Sequence, residues 1–230
     1  MNQGSSPRRG LELDARLPQD QIPGVYDRLA GVYDIWGWLT ESRARARAIE
    51  LAAIEDGTTI LEVAVGTGLA FREIVKRNPH GQNLGIDLSS GMLARARSRM
   101  SAMPGASYRL DIGTAFDLPV QSDSVDILVN NYMFDLVPYA DMDRVIDEFS
   151  RVLKIGGRLI LVNMARGESR ASRIYEGIYR ISPRAMGGCR GVQMADRLGQ
   201  HGFTVGVREY HQQFLFPSEV IVAQKGARDR

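Results

Sequence analysis

Alternation between apolar strand-like runs and helical stretches is the feature that most constrains the fold of this 230-residue chain. Five apolar runs are separated by segments whose apolar residues recur at helical spacing, which predicts a parallel sheet with helices on both faces. The predicted strands are Thr59–Val65, Asn83–Asp87, Ala106–Leu110, Val125–Asn130 and Arg158–Asn163, and the predicted helices are Leu69–Arg77, Gly91–Met103 and Met142–Lys154.

Two further strand-like runs follow near the C-terminus. Phe203–Tyr210 and Gln213–Ala223 are separated only by His211 and Gln212. So short a polar connection predicts an antiparallel hairpin. The expected fold is therefore α/β, with a seven-stranded, mostly parallel sheet, helices on both faces and a C-terminal antiparallel β-hairpin.

Charge and cysteine usage exclude several classes of protein. The 29 basic and 27 acidic residues give a net charge of +2, too small an excess for a nucleic-acid partner. The single cysteine, Cys189, can build neither an internal disulfide nor a multi-thiolate metal site, so we expect no metal and a reducing, cytoplasmic location. Because no apolar run approaches the roughly 18 residues of a membrane span, any membrane contact is expected to be peripheral.

We expect one domain with two additions. Residues 57–225 form the domain, residues 1–20 a disordered tail and residues 21–56 an N-terminal helical lid, while a helical insertion at about 165–200 covers the substrate. The insertion carries seven arginines against three acidic residues, interleaved with aromatic and aliphatic side chains. It is either ordinary solvated surface or a cationic cover that contacts an anionic membrane.

A glycine turn, Gly66-Thr67-Gly68, stands between the first predicted strand and the helix that follows. Glycine lets the backbone approach a ligand closely, and a helix N-terminus offers N–H groups to an anion. A dinucleotide fingerprint would need a third glycine where Phe71 stands, which disfavours an NAD-dependent oxidoreductase. Asp87 ends the second strand, where it can accept hydrogen bonds from a ribose or, alternatively, cap the next helix.

These segments carry a family resemblance. Residues 61–68, Leu-Glu-Val-Ala-Val-Gly-Thr-Gly, resemble the first motif of class I, Rossmann-like S-adenosylmethionine (SAM) dependent methyltransferases. Gly-Ile-Asp-Leu-Ser at 85–89 resembles the second motif, and residues 151–158 resemble the signature before the fifth strand. The resemblance covers roughly residues 25–225 and implies SAM as the cofactor. Ala64 departs from it, because the family usually has glycine there.

The resemblance also implies contacts to the nucleoside part of SAM. Asp87 would hold the ribose, Leu88 or Met92 would pack on the adenine, and Asp111 would accept from the adenine amino group. Met92 is equally well interpreted as a core residue of its helix. The complete cofactor-binding set is Tyr33, Glu62, Ala64, Gly66, Gly68, Asp87, Leu88, Met92, Asp111, Ile112 and Asn130.

Residues 26–34, Tyr-Asp-Arg-Leu-Ala-Gly-Val-Tyr-Asp, resemble the entry of the quinone C-methyltransferases of ubiquinone and menaquinone biosynthesis and of related bacterial phospholipid N-methyltransferases. In those enzymes the entry helix covers the cofactor, so Tyr33 would approach the SAM carboxylate. Alternatively, the tyrosines of this segment pack on the domain. The family further implies that Glu62 braces the glycine loop and that Asn130 contacts the methionine part of SAM.

Acceptor recognition is the least constrained part of the prediction. Residues 131–135, Asn-Tyr-Met-Phe-Asp, lack the two prolines with which base-amino methyltransferases hold a planar amine. Tyr132 and Asp135 are candidate catalytic residues that would orient the acceptor. The candidate substrate-binding residues are Tyr26, Tyr132, Tyr175 and Tyr179.

The sequence thus predicts transfer of a methyl group from SAM to a small lipophilic acceptor. C-methylation of a quinone precursor is favoured over N-methylation of a phospholipid amine or methylation of another small molecule. A noncatalytic SAM-binding protein is the alternative from a different class. Neither the oligomeric state nor the use of a general base is indicated by the sequence.

Overall fold

The computed structural model describes residues 40–165, 190–214 and 216–227. Its first helix, α1, occupies residues 40–51. The other elements, in chain order, are β1 (Thr59–Val63), α2 (Leu69–Arg77), β2 (Gln82–Asp87), α3 (Ser90–Met100), β3 (Arg109–Ile112), β4 (Val125–Asn131), a 3₁₀ turn (Phe134–Leu136), α4 (Tyr139–Val152), β5 (Leu153–Met164), α5 (Ala195–Gln200), β6 (Phe203–Gln213) and β7 (Phe216–Lys225).

The strands form one seven-stranded sheet in the order β3-β2-β1-β4-β5-β7-β6. The first five strands are parallel, whereas β7 runs antiparallel to both β5 and β6. The predicted sheet and its C-terminal hairpin are therefore confirmed. Since β1 and β4 are neighbours while their chain connections lead to opposite sides, their carboxyl ends form the crevice in which ligands of such sheets bind.

Strand alternation places a separate apolar core on each face of the sheet. In β1, Leu61 and Val63 face the core that contains α4 and α5, while Ile60 faces the core that contains α1 and α2. A third cluster joins α2 to α3 around Phe71 and Leu93. Helices thus cover both faces, as the alternation of strands and helices predicts.

Several strand boundaries differ from the prediction: β1 ends at Val63 instead of Val65, β5 begins at Leu153 instead of Arg158, and β7 begins at Phe216 instead of Gln213. Two further differences, in β3 and β6, affect the site and the hairpin. β3 is Arg109–Ile112, so the chain leaves the sheet two residues later than expected. β6 continues through His211 and Gln212, which pair with Ser218 and Pro217 of β7 instead of forming a turn. These two polar residues were predicted to form a turn, but β6 is an edge strand whose residues are alternately exposed, so polar residues occur within it.

The described residues include only part of the expected lid and part of the expected insertion. Of the lid, α1 packs on the sheet and is joined to β6 by Arg47, whose Nε and Nη2 donate to Glu209 at 2.9 and 2.8 Å. The predicted tail at 1–20 and most of the insertion, 166–189, lie outside the described residues. None of the helices in the described ranges combines the length and the apolar character that a membrane span requires.

Phe149 of α4 packs in the core against the 3₁₀ turn that follows β4. It is fully buried and packs edge-on against Phe134, with ring centroids 5.8 Å apart. We expect Phe149→Ala to lower the free energy of unfolding by about 3–5 kcal/mol, because it leaves a cavity in a packed core. Denaturant unfolding measures this. Ile155→Ala, at a side chain that is 67% exposed, is the control, and an equal loss in both variants would contradict the assigned core.

Candidate functional site

A cavity of about 250 Å³ opens at the carboxyl ends of β1, β2 and β4. Its described lining has two parts. One contains the glycine loop, Asp87 and the start of α3; the other is apolar and is contributed mainly by Met133, Leu136 and Val137 after β4. The arrangement suits a ligand with a polar nucleoside portion next to an apolar second ligand.

The glycine loop depends on three left-handed backbone conformations, at Ala64 (φ 61°), Gly66 (φ 57°) and Gly68 (φ 80°). Gly68 is also required for packing, because a Cβ atom there would lie 3.0 Å from the Cβ of Ala96 on α3. Ala64 and Gly66 line the cavity. Gly68 is not among the described lining residues, so its contribution is to hold α2 against α3.

Asp87 fastens the glycine loop to the end of β2. Its Oδ2 accepts from the backbone N–H of Gly66 at 2.7 Å, and its Oδ1 accepts from that of Ser89 at 2.9 Å. Ser89, not Asp87, caps α3, because its hydroxyl accepts from Met92 N at 3.0 Å. The alternative interpretation of Asp87 as the helix cap is therefore wrong. Its carboxylate borders the cavity, and its contact with ribose stays a prediction.

The expected adenine contacts divide into two groups. Leu88 and Met92 both line the cavity beside Asp87, and Met92 is buried, so it serves the core as well. Asp111 and Ile112 are not among the described lining residues. The Asp111 carboxylate pairs with Arg109 at 2.6 Å, and Ile112 is 62% exposed.

The later end of β3 explains this difference. Because the strand runs to Ile112, the loop at its carboxyl end begins at Gly113, and residues 113–116 border the cavity in place of Asp111. Phe116 presents its ring there, with the guanidinium carbon of Arg144 5.1 Å from the ring centroid. Sequence reasoning missed these residues because it ended β3 too early.

Three buried oxygen atoms near the ends of β1 and β4 have no hydrogen-bond donor among the described residues: Glu62 Oε2, Asn130 Oδ1 and Asn131 Oδ1. Glu62 Oε1 accepts from Asn131 Nδ2 at 3.3 Å, so Glu62 braces β4 rather than the glycine loop. Asn130 Nδ2 donates to the carbonyl of Val63 at 2.8 Å. Of these three residues only Asn131 is among the described lining residues of the cavity; Glu62 and Asn130, like Asp111, are not. A buried acceptor without a donor is costly, so Asn131 Oδ1 fits a ligand that brings an N–H donor, such as the ammonium group of SAM.

Burial also disturbs the ionisation of Glu62. Desolvation raises the pKa of this carboxyl to about 8, although the hydrogen bond from Asn131 and the charge of Arg45 oppose the shift. Glu41 on α1, which pairs with Arg45 at 3.8 Å, has its pKa raised to about 7 by the same cause. Burial thus raises the pKa values of both carboxyls into the neutral range.

Of the two candidate catalytic residues, only Tyr132 borders the cavity. Its hydroxyl forms a 2.8 Å hydrogen bond with Ser218 Oγ, and burial raises its pKa well above the usual value, so it is unsuited to act as a base. Asp135 does not reach the cavity. It is fully buried, and both its carboxylate oxygens accept from Met164 N, at 3.0 and 3.1 Å.

The structure therefore corrects the proposed role of Asp135, whose carboxylate faces β5 instead of an acceptor. Tyr132 remains a prediction for acceptor orientation. The predictions for Tyr26, Tyr33, Tyr175 and Tyr179 fall outside the described residues. Sequence analysis also missed the apolar lining by Leu136 and Val137, although their place directly after β4 marks them as residues of the carboxyl edge.

Comparisons with known proteins agree with this geometry. Residues 60–157 match the family model of the methyltransferase domain. A demethylmenaquinone methyltransferase of Symbiobacterium thermophilum is 31% identical over 70% of this chain, although the alignment spans only 62% of that relative. A ubiquinone/menaquinone biosynthesis C-methyltransferase of Syntrophotalea carbinolica is 29% identical over 76% of this chain and 72% of its own length.

The fold is shared with a methyltransferase solved in complex with the Trm112 methyltransferase activator of Haloferax volcanii. That structure superposes with a TM-score of 0.70 at 20% identity, covering 92% of this chain and 99% of that one. Residues 60–157 carry a methyltransferase domain, and the chain is similar to SAM-dependent methyltransferases of the class I, Rossmann-like kind. SAM as the cofactor and the expected class of enzyme are thereby confirmed for the methyltransferase domain.

Asp87→Ala tests the nucleoside side of the site. Removing the carboxylate loses charge-assisted hydrogen bonds to the ribose and releases Gly66, so we expect SAM affinity to fall by roughly 30- to 1,000-fold, or about 2–4 kcal/mol. Calorimetric titration with SAM and S-adenosylhomocysteine measures this. Asp111→Ala is the matched control and should change affinity little. Unchanged SAM affinity in a folded Asp87→Ala protein would remove the ribose assignment.

Glu62 gives a prediction about pH. Its folded pKa of about 8 lies above the unfolded value, so its contribution to stability is complete below about pH 4.5 and is lost as the pH rises through 8. Glu62→Gln should flatten the fall in melting temperature between pH 5 and 9, while the part due to Glu41 and Asp135 remains. Glu73→Gln, at a half-exposed helix position, is the control. Identical slopes in the wild-type and Glu62→Gln proteins would show that Glu62 ionises normally.

Proposed function

We propose that this protein methylates a carbon atom of a prenylated quinone precursor, with SAM as the methyl donor. The observation that carries the proposal is the apolar part of the cavity, formed by Met133, Leu136 and Val137 beside the nucleoside half. A lipophilic ring fits such a lining, because its burial releases apolar surface from water. The similarity to a demethylmenaquinone methyltransferase and to a ubiquinone/menaquinone biosynthesis C-methyltransferase supports the same acceptor class.

The protein's contribution to such a reaction is mainly placement. SAM supplies an electrophilic methyl group bonded to a positively charged sulfur. Asp87 and the glycine loop hold one partner, while the apolar wall after β4 orients the other and excludes water. Two reactants held in line need little further assistance, because the entropic part of the barrier is met on binding.

No strong base stands at the apolar wall within the described part of the chain. Tyr132 keeps its proton because burial raises its pKa, and Asp135 is directed into β5. We propose that the nucleophilic carbon gains electron density from a hydroxyl of the acceptor ring itself, and that the proton which this carbon loses on methylation passes to solvent. The reduced ring supplies this density, whereas the oxidised ring is electron-poor. We accordingly propose the quinol form as the substrate.

The deciding experiment uses labelled SAM with three acceptors: a 2-prenyl-1,4-naphthoquinol that lacks the 3-methyl group, the corresponding quinone, and vesicles that contain phosphatidylethanolamine. We expect label in the quinol alone, on a ring carbon located by mass spectrometry. Asp87→Ala serves as the control for enzyme-dependent turnover.

The outcomes distinguish the competing functions. Labelled lipid amine without labelled quinol would replace the proposal with phospholipid N-methylation. Tight SAM binding with no label in either the quinol or the lipid would contradict both assignments. Equal turnover of quinone and quinol would retain the acceptor class but overturn the proposed source of electron density.

A further inference from the structure

The segment 166–189 leaves the domain after Ala165 and returns at Arg190, and its two flanks are joined. Ala165 and Val192 form a parallel bridge, and Val192 N donates to the carbonyl of Met164 at 2.9 Å. Entry and exit therefore lie side by side at the carboxyl end of β5.

Arg190, the first described residue after the segment, is only 2% exposed. Its Nη1 donates to the backbone carbonyl of Asp135 at 2.8 Å, and its Nη2 donates to that of Val137 at 2.6 Å. Its guanidinium carbon also lies 4.5 Å from the centroid of the Tyr139 ring. A buried cation is expensive unless such partners surround it, so this position selects an arginine with its planar, forked donors.

Asp135 joins the two flanks. Its carboxylate accepts from Met164 N, on the entry side, and its carbonyl accepts from Arg190, on the exit side. The charge of Arg190 also acts on this carboxyl, although desolvation is the larger effect and raises its pKa to about 8. Asp135 thus has hydrogen bonds to both flanks, and these bonds connect the 3₁₀ turn that contains it to each of them.

The same turn carries the apolar wall of the cavity. Met133, Leu136 and Val137 border the cavity on either side of Asp135, and the carbonyl of Val137 is one of the two that accept hydrogen bonds from Arg190. The guanidinium of Arg190 therefore helps to set the position of this wall. Arg190 itself is not among the described residues that line the cavity. Loss of that guanidinium would release two carbonyls and loosen the wall.

We propose that Arg190 is a positioning residue for the methyl acceptor, which ties the flanks of segment 166–189 to the apolar wall through the carbonyls of Asp135 and Val137. This inference rests on the proposed function only in taking the apolar wall as the acceptor side of the cavity. The nucleoside side is held by different contacts, through Asp87 and Ser89, so the two ligands should respond differently to substitution of Arg190.

The test compares Arg190→Ala and Arg190→Lys with wild type by three measurements. In Arg190→Ala we expect the KM for the quinol to rise at least about tenfold while the Kd for SAM changes less than about twofold. Hydrogen exchange of the backbone amides at 133–137 should accelerate in the same variant. Millimolar guanidinium should partly restore the KM for the quinol and the slow hydrogen exchange at 133–137. Arg190→Lys should be intermediate, because one ammonium group cannot donate to both carbonyls in the forked geometry.

Arg158→Ala is the control, because Arg158 also donates to a backbone carbonyl, that of Ala53, but at an exposed site away from the cavity. Equal loss of SAM and quinol affinity, or unchanged exchange at 133–137, would overturn the positioning role. If no quinol is methylated by the wild type, the proposed function fails, and the exchange and guanidinium measurements still decide the role of Arg190. Should Arg190→Ala not fold, Arg190→Lys decides by the same measurements.

Discussion

The two hydrogen bonds that Asp87 accepts, from Gly66 and from Ser89, are the contacts on which the rest of the site depends. They join the turn after β1 to the start of α3 across neighbouring parallel strands, at the edge where the cavity opens. Because both donors are backbone groups, the carboxylate stabilises the loop before any ligand binds. A ligand that approaches Asp87 then meets a preorganised loop and loses less conformational entropy on binding.

Whereas Asp87 stabilises the glycine loop, buried acceptor atoms at the end of β4 destabilise the folded domain. Asn130 and Asn131 each keep a buried amide oxygen without a donor among the described residues, and each such atom costs on the order of 1–3 kcal/mol. The surrounding core offsets this loss, since Ile60, Ile127 and their neighbours are fully packed. A ligand that donates to Asn131, which lines the cavity, would remove part of this cost and so couple ligand binding to stability.

Sequence periodicity was sufficient for the architecture because the central strands β1, β4 and β5 are buried on both faces and α2 and α4 each bury one apolar face. The glycine turn and Asp87 were predictable for a related reason: their roles follow from chain order, strand then turn then helix. Asp111 shows where this reasoning ends, since a two-residue error in the end of β3 exchanges a strand residue for a loop residue. Asp135 shows a second limit, because the direction of its carboxylate depends on Met164, 29 residues away in the chain.

Ala64 connects these observations. An alanine at φ 61° is strained, by on the order of 1 kcal/mol, and glycine would remove that strain. The loop nevertheless keeps the left-handed conformation, because the Gly66 N–H must reach Asp87 and Gly68 must pack against Ala96. The contacts at the two glycines therefore over-determine the backbone at Ala64. A methyl group at this point also adds apolar surface to the cavity that Ala64 borders, next to Gly66 on the cofactor side.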